Sequence, residues 1–190
     1  MRLAFRWLRE EHLETVRRWR TSAEVSKYLY SDPVLSAEDQ RVWYRRIAAD
    51  PSCLYWVVTA EDTPVGLVSI SAIQRVHKRC DWAYYIADPS MRGKGLGKII
   101  EYNVQRFVFE SLGLNKLCCE VFSFNEHVIQ IHVKYGNRIE GTRRQHIWKS
   151  GEFHDIVEMA LLKAEWLELE KQREPYPLIE FELRRELSPP

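Results

Sequence analysis

Three of the chain's eight glycines fall within six residues, Arg92-Gly93-Lys94-Gly95-Leu96-Gly97. Upstream, Asp81–Ala87 (DWAYYIA) is rich in aromatic residues and reads as a strand. Downstream, Lys98–Leu112 places Ile100, Val104, Phe107 and Val108 on one helical face, with Gly113 as the stop. Leu117–Phe122 then returns as a strand. Strand, glycine turn, helix and strand in that order predict a right-handed crossover between parallel strands, and so an α/β architecture. Glycines let an anion approach the backbone closely, and the first N–H groups of a helix favour negative charge. Arg92, Lys94 and Lys98 add positive charge around the turn. These are the makings of a phosphate cradle; the plain alternative is a turn that only packs helix closely on strand. Two familiar phosphate motifs fail on spacing. The loop lacks the Ser or Thr of a P-loop, and its glycines run G-x-G-x-G, whereas dinucleotide folds use G-x-G-x-x-G.

The remaining elements fit one domain. Leu3–Trp7 reads as a short strand, and Leu13, Val16 and Arg20 have helical spacing. Ser36-Ala37-Glu38-Asp39 has capping-box spacing and opens a second helix through Ile47, which Asp50-Pro51 ends. Leu54–Ala60 and Val65–Ser71 form a hairpin about residues 61–64. Glu126–Tyr135 is a short helix closed by Gly136-Asn137. Ile139–Trp148 and His154–Leu162 form a last hairpin about Lys149-Ser150-Gly151. Beyond Trp166 the chain is charged and holds Pro175, Pro177, Pro189 and Pro190, so residues 167–190 read as a peripheral tail after a domain of residues 1–166.

Charge and composition exclude several classes. With 28 basic and 27 acidic residues the net charge is +1, which argues against a general nucleic-acid binder. The N-terminal MRLAFRWLREEH carries charge inside its apolar stretch, and no apolar run approaches the ~18 residues of a membrane span. A cytoplasmic location without membrane or nucleic-acid partners is expected. Cys53, Cys80, Cys118 and Cys119 make no C-x-x-C pair, so free thiols are expected and no metal.

The block Asp88-Pro89-Ser90-Met91-Arg92-Gly93-Lys94-Gly95-Leu96-Gly97 closely resembles the coenzyme A pyrophosphate loop of the GNAT superfamily of N-acetyltransferases. The resemblance continues in order. The family pattern N-x-x-x-I-x-x-Y-x-K-x-G is met by Asn125, Ile129, Lys134 and Gly136, and residues 153–166 resemble the closing strand. It implies a central mixed, twisted sheet of about seven strands, splayed in the middle and flanked by helices, with acetyl-CoA as cosubstrate in the gap. It also implies backbone amides near Ile86 and Ala87 for the pantetheine arm and thioester carbonyl, N–H groups from Gly93 to Lys98 for the pyrophosphate, and Asn125 and Lys134 on the coenzyme's far side.

Direct transfer asks for a proton donor to the leaving thiolate and a base for the acceptor ammonium. The family's usual donor, a tyrosine seven residues after the Asn, is replaced here by His132, two helical turns on and therefore on the same face. A hydrogen-bonding histidine with reprotonation by water is the alternative, and Tyr135 is the reserve donor. Asp81 stands where many relatives carry a glutamate base; His77 and His154 are alternatives on the acceptor side. Around the junction of the first helices, Arg20 could meet a phosphate and Tyr28 or Tyr30 could stack on a base or sugar. The stretch Trp19–Tyr30 resembles a branch that acetylates the 4-amino group of a UDP-linked 4-amino-4,6-dideoxy sugar, on the way to pseudaminic acid and flagellin glycosylation, although Thr21 stands where that branch commonly has Asn. The alternatives are an acetyltransferase for ribosomal-protein N-termini and a non-catalytic coenzyme-A-binding regulatory domain. A homodimer is an open alternative to a monomer.

Overall fold

The computed structural model describes residues 2–30 and 34–183. In chain order the strands are β1 (Leu3–Trp7), β2 (Leu54–Ala60), β3 (Thr63–Gln74), β4 (Arg79–Ile86), β5 (Lys116–Phe122), β6 (Arg138–Lys149), β7 (Glu152–Leu162) and β8 (Glu180–Phe181). The helices are α1 (Leu13–Thr21), α2 (Ala23–Ser26), α3 (Ala37–Ala49), α4 (Leu96–Arg106), α5 (Glu126–Lys134) and α6 (Lys163–Glu170). Among the described residues the strands make one open mixed sheet in the order β6-β7-β5-β4-β3-β2-β1-β8. All pairs are antiparallel except β4–β5 and β1–β8.

Local chemistry sets the boundaries. Ser36 accepts the Asp39 amide at 3.1 Å while the Asp39 carboxylate accepts the Ser36 amide at 2.9 Å, the reciprocal capping box expected from the spacing. Glu61 and Asp62 both have positive φ, 48° and 62°, the backbone of a tight hairpin turn between β2 and β3. Strand alternation then divides the core. Trp56, Val58 and Val68 face the large core that also holds Ile100 and Val104 of α4 and Val108 of the turn just after it. Val57 and Leu67 point the other way, onto Val16 of α1 and Ile47 of α3. Helices therefore cover both faces of the sheet.

The segment after Trp166 corrects the expectation of a peripheral tail. After α6 the chain returns across α4 and adds β8 to the edge of β1, which raises the strand count to eight. Phe181 stacks on Phe107 at 4.5 Å between ring centroids and meets Phe5 and Trp56 edge-on. The Trp56 indole donates to the Glu182 carbonyl at 2.9 Å. Asn103 donates to the Pro177 carbonyl at 3.0 Å and accepts the Ile179 amide at 2.8 Å. As a result α4 is buried through all of residues 100–105, polar positions included. The last part of the expected tail, residues 184–190, lies outside the described residues.

Candidate active site

A gap in the sheet makes the site. β4 and β5 pair only at Arg79–Lys116, Cys80–Leu117 and Asp81–Cys118. Beyond Asp81, β4 follows β3 to Ile86 and β5 follows β7 to Phe122. The strands splay into a V that opens as a cleft of about 730 Å³, in the size range of small-molecule sites.

The glycine loop closes one end of the cleft. Gly93 and Gly95 adopt left-handed backbone, φ 72° and 78°, and Gly95 is the residue from which α4 starts. Among the described residues, no backbone carbonyl takes the N–H groups of Gly93 to Lys98, and a Cβ at Gly93 would meet nothing within 4 Å. At Gly97 the space is tight, since a Cβ there would stand 3.0 Å from the Tyr84 hydroxyl. Unpaired amides at a helix start, with Lys98 and Lys134 on the walls, suit a pyrophosphate-bearing coenzyme. Asn125 heads α5, its side chain makes no capping bond, and it lines the cleft, as does Ile86.

Three expected contacts differ in detail. The Ala87 amide donates to the Val65 carbonyl at 2.8 Å, and Ala87 does not line the cleft, so β3 holds the amide that a pantetheine arm would need. The Arg92 guanidinium donates to the Ile86 carbonyl at 3.1 and 3.0 Å and ties the loop to the end of β4. Lys94 is exposed on the loop and is not among the lining residues.

His132 lines the cleft from α5, yet its side chain is only 5% exposed. Its Nδ1 lies 2.9 Å from Oε1 of Glu101, a carboxylate with no exposed surface. The Asn137 amide nitrogen is 3.0 Å from the same oxygen. Trp82 and Tyr84 meet the His132 ring edge-on, at 5.4 and 6.4 Å. Tyr135, the reserve donor, also lines the cleft, but its hydroxyl is 3.1 Å from that of Tyr176, and burial followed by that hydrogen bond pushes its phenol up. Asp81 falls where β4 and β5 are still paired and is not a lining residue. Burial first, then the charge of Glu120, raises its carboxyl above the usual aspartate range. His77 lies exposed on the β3–β4 turn. His154 packs against Phe122 and Phe124, with Nε2 3.2 Å from the Lys149 carbonyl. Neither histidine lines the cleft. The expected base candidates are thus not brought to His132, because the strand pairing that carries Asp81 precedes the splay.

At the other end of the cleft stand Arg20, Tyr28, Tyr30 and, unanticipated, Trp43, Tyr55 and Tyr85. The Arg20 guanidinium lies over the Trp43 ring, 5.2 Å from its centroid. The Tyr30 hydroxyl donates to Glu120 at 2.8 Å; burial and this carboxylate push the phenol up. Arg143 pairs with Glu120 at 3.1 Å and with Glu158. The signal for Glu101 was present in the sequence as an acidic residue four after Gly97 and three before Val104, on the buried stripe of α4. The aromatic wall carried no local signal, since its members come from α3, β2 and β4.

A family model described as the acetyltransferase (GNAT) domain matches residues 2–138. The chain belongs to that family. Its activity class is therefore acetyl-CoA-dependent N-acetyl transfer, with acetyl-CoA as cosubstrate. Among GNAT relatives, the spermidine N(1)-acetyltransferase of Escherichia coli K12 is 27% identical over 160 residues, covering 84% of this chain and 86% of that protein. The acetyltransferase PseH of Campylobacter jejuni strain 81-176 is 23% identical over 128 residues, covering 67% and 78%. The spermidine N-acetyltransferase of Vibrio cholerae, solved with CoA and spermine, superposes with a TM-score of 0.82 at 22% identity over 87% of this chain and 98% of that one. The GNAT fold, with its splayed sheet, is the architecture that the resemblance implied, with eight strands where about seven were expected. Among the described residues no group of three or more His, Cys, Asp or Glu side chains is poised around a metal position, and no helix is long and apolar enough to cross a membrane.

Proposed function

We propose that this GNAT enzyme acetylates the amine of a nucleotide-linked amino sugar, with the UDP-linked 4-amino-4,6-dideoxy sugar as the leading acceptor. The observation that carries this reading is the acceptor end of the cleft. Flat aromatic walls from Tyr28, Trp43, Tyr55 and Tyr85 suit a base or sugar ring, and the Arg20 guanidinium among them suits a diphosphate. The similarity to PseH supports it. A polyamine acceptor is the second reading, favoured by the lining carboxylates Glu24 and Glu120 and by the spermidine acetyltransferase relatives. Against it, Arg143 and Tyr30 already engage Glu120, and Arg20 repels a polycation.

Bound acetyl-CoA supplies the acetyl group as a thioester. The amides from Gly93 to Lys98 hold its pyrophosphate, with Lys98, Lys134 and Asn125 around it. The walls of the V exclude water from the thioester and hold the amine in line. His132 presents a proton toward the leaving sulfur, and the acceptor ammonium gives its own proton to water. Thiol release, measured separately with the UDP-linked amino sugar, spermidine and a ribosomal N-terminal peptide, tests the assignment. Release with the sugar alone is expected. Release with spermidine or the peptide and none with the sugar refutes it.

A further inference from the structure

The family's usual phenol is replaced by an imidazole, and an imidazole needs a partner to decide which of its nitrogens carries a proton. Resting on the reading of His132 as proton donor, we propose that Glu101 is a positioning residue: together with Asn137 it holds His132 with its proton on Nδ1, leaving Nε2 to deliver the transferred proton in the cleft.

The hydrogen bonds assign the arrangement. The Asn137 amide nitrogen is 3.0 Å from Glu101 Oε1 and 3.1 Å from the His132 carbonyl oxygen. An amide oxygen in that place would face two acceptors, so the NH₂ group belongs there and donates to both. Glu101 Oε1 is thus an acceptor, and the 2.9 Å contact with His132 is a bond donated by Nδ1–H. No described residue takes Nε2, the nitrogen left to the cleft that the ring lines. The other titratable groups around Glu101 are Tyr84 on β4, Cys119 on β5 and Tyr135 after α5. Burial, then the carboxylate itself, pushes Tyr84 and Cys119 up, so both stay neutral at pH 7. Glu101 is the carboxyl group that the ring meets directly. Its Oε2 is buried without a protein partner among the described residues. A core that needed only packing would be better served by an apolar side chain there.

The step balances. The bond from the amine nitrogen to the acyl carbon forms, and the carbon–sulfur bond breaks with its electron pair going to sulfur. The Nε2 proton passes to that sulfur. The nitrogen, cationic once bonded to the acyl carbon, releases its second proton to water and leaves a neutral amide. The ring is left neutral with Nδ1–H still on Glu101, and a proton from water restores Nε2–H, so each turnover releases one proton net.

The first test needs no substrate. In the nitrogen-15-labelled full chain, at a pH that leaves the ring neutral, the long-range proton–nitrogen spectrum of His132 should show hydrogen on Nδ1 and a bare Nε2. Hydrogen on Nε2 with a bare Nδ1 overturns the proposal. The second test is kinetic, on an acceptor that supports thiol release. Glu101→Gln keeps the shape and removes the charge; kcat should fall at least about tenfold, with the acetyl-CoA KM within about twofold. In a His132→Phe background the same substitution should cost nothing further, because its effect acts through the ring. A full, additive loss in that background marks Glu101 as merely structural. If Glu101→Gln fails to fold, the wild-type spectrum alone decides. If the sugar is the wrong acceptor, thiol release with it fails while the spectrum is unchanged, so the two readings fail separately.

Discussion

Phe181→Ala tests whether the C-terminal strand is part of the domain. The ring is half-buried, stacks on Phe107 at 4.5 Å and meets Phe5 and Trp56 edge-on at 4.5 and 5.3 Å. Truncating a core Phe to Ala costs ~3–5 kcal/mol, and partial exposure places Phe181 at the lower end, about 3 kcal/mol. For a chain of this length each kcal/mol moves Tm by ~2–4 °C, so the expected drop is about 6–12 °C. Leu178→Ala is the internal control. Leu178 belongs to the same segment but is 66% exposed, and its truncation should cost less than ~0.5 kcal/mol. Thermal unfolding followed by circular dichroism at one protein concentration reads both. The acetyl-CoA KM should stay within about twofold, because β8 lies at the sheet edge far from the V in strand order. A Phe181→Ala Tm within about 1 °C of wild type would refute the integration of β8 and return the segment to the status of a loose tail.

Three further outcomes follow from the site. His132→Phe should lower kcat about 100-fold, the low end of a positioned proton donor, while coenzyme binding measured by calorimetry is unchanged; an undiminished rate would remove the imidazole from the reaction. Gly95→Ala forces a side chain into φ 78°, costing ~1–2 kcal/mol; the acetyl-CoA KM should rise roughly 5- to 30-fold with kcat little changed, and an unaltered KM would mean that the loop does not hold the coenzyme. Asp81→Asn addresses the displaced base. Its carboxyl is held above the usual range by burial and Glu120, so the folded chain binds this proton more tightly than the unfolded one. The stability this contributes is fully present below the unfolded value of ~3.9 and is lost as pH rises through the raised folded one. The Asn variant should therefore match or exceed wild-type Tm at pH 7, lose that advantage below about pH 4, and keep kcat within about twofold. A tenfold fall in kcat would restore Asp81 as the base.

Position next to the reacting atoms cannot be inferred from residue type alone in a splayed sheet. Asp81 and Ile86 lie on one strand, five residues apart, yet Asp81 is in the paired part of β4 and Ile86 lines the cleft. The divergence depends on β3 holding β4 and β7 holding β5 beyond that point, a competition among partners distant in sequence.

Features that rest on neighbours within a few residues are legible in the chain alone. The capping box at Ser36–Asp39, the hairpin turns at residues 61–62 and 150–151, and the glycine loop that starts α4 are local, because φ preference and side-chain-to-backbone bonds act over one turn. With the Asn125–Gly136 pattern and the closing strand downstream, that loop carried the resemblance to the GNAT superfamily and its cosubstrate. Tertiary structure decided the rest. It took the Ala87 amide for Val65, set Glu101 behind His132, gathered aromatic rings from three elements at the acceptor end, and drew the charged tail into the sheet as β8. Each of these joins groups tens of residues apart, from 22 for Val65 and Ala87 to 176 for Phe5 and Phe181. Their energy comes from burial and pairing that exist only once the sheet has closed around them.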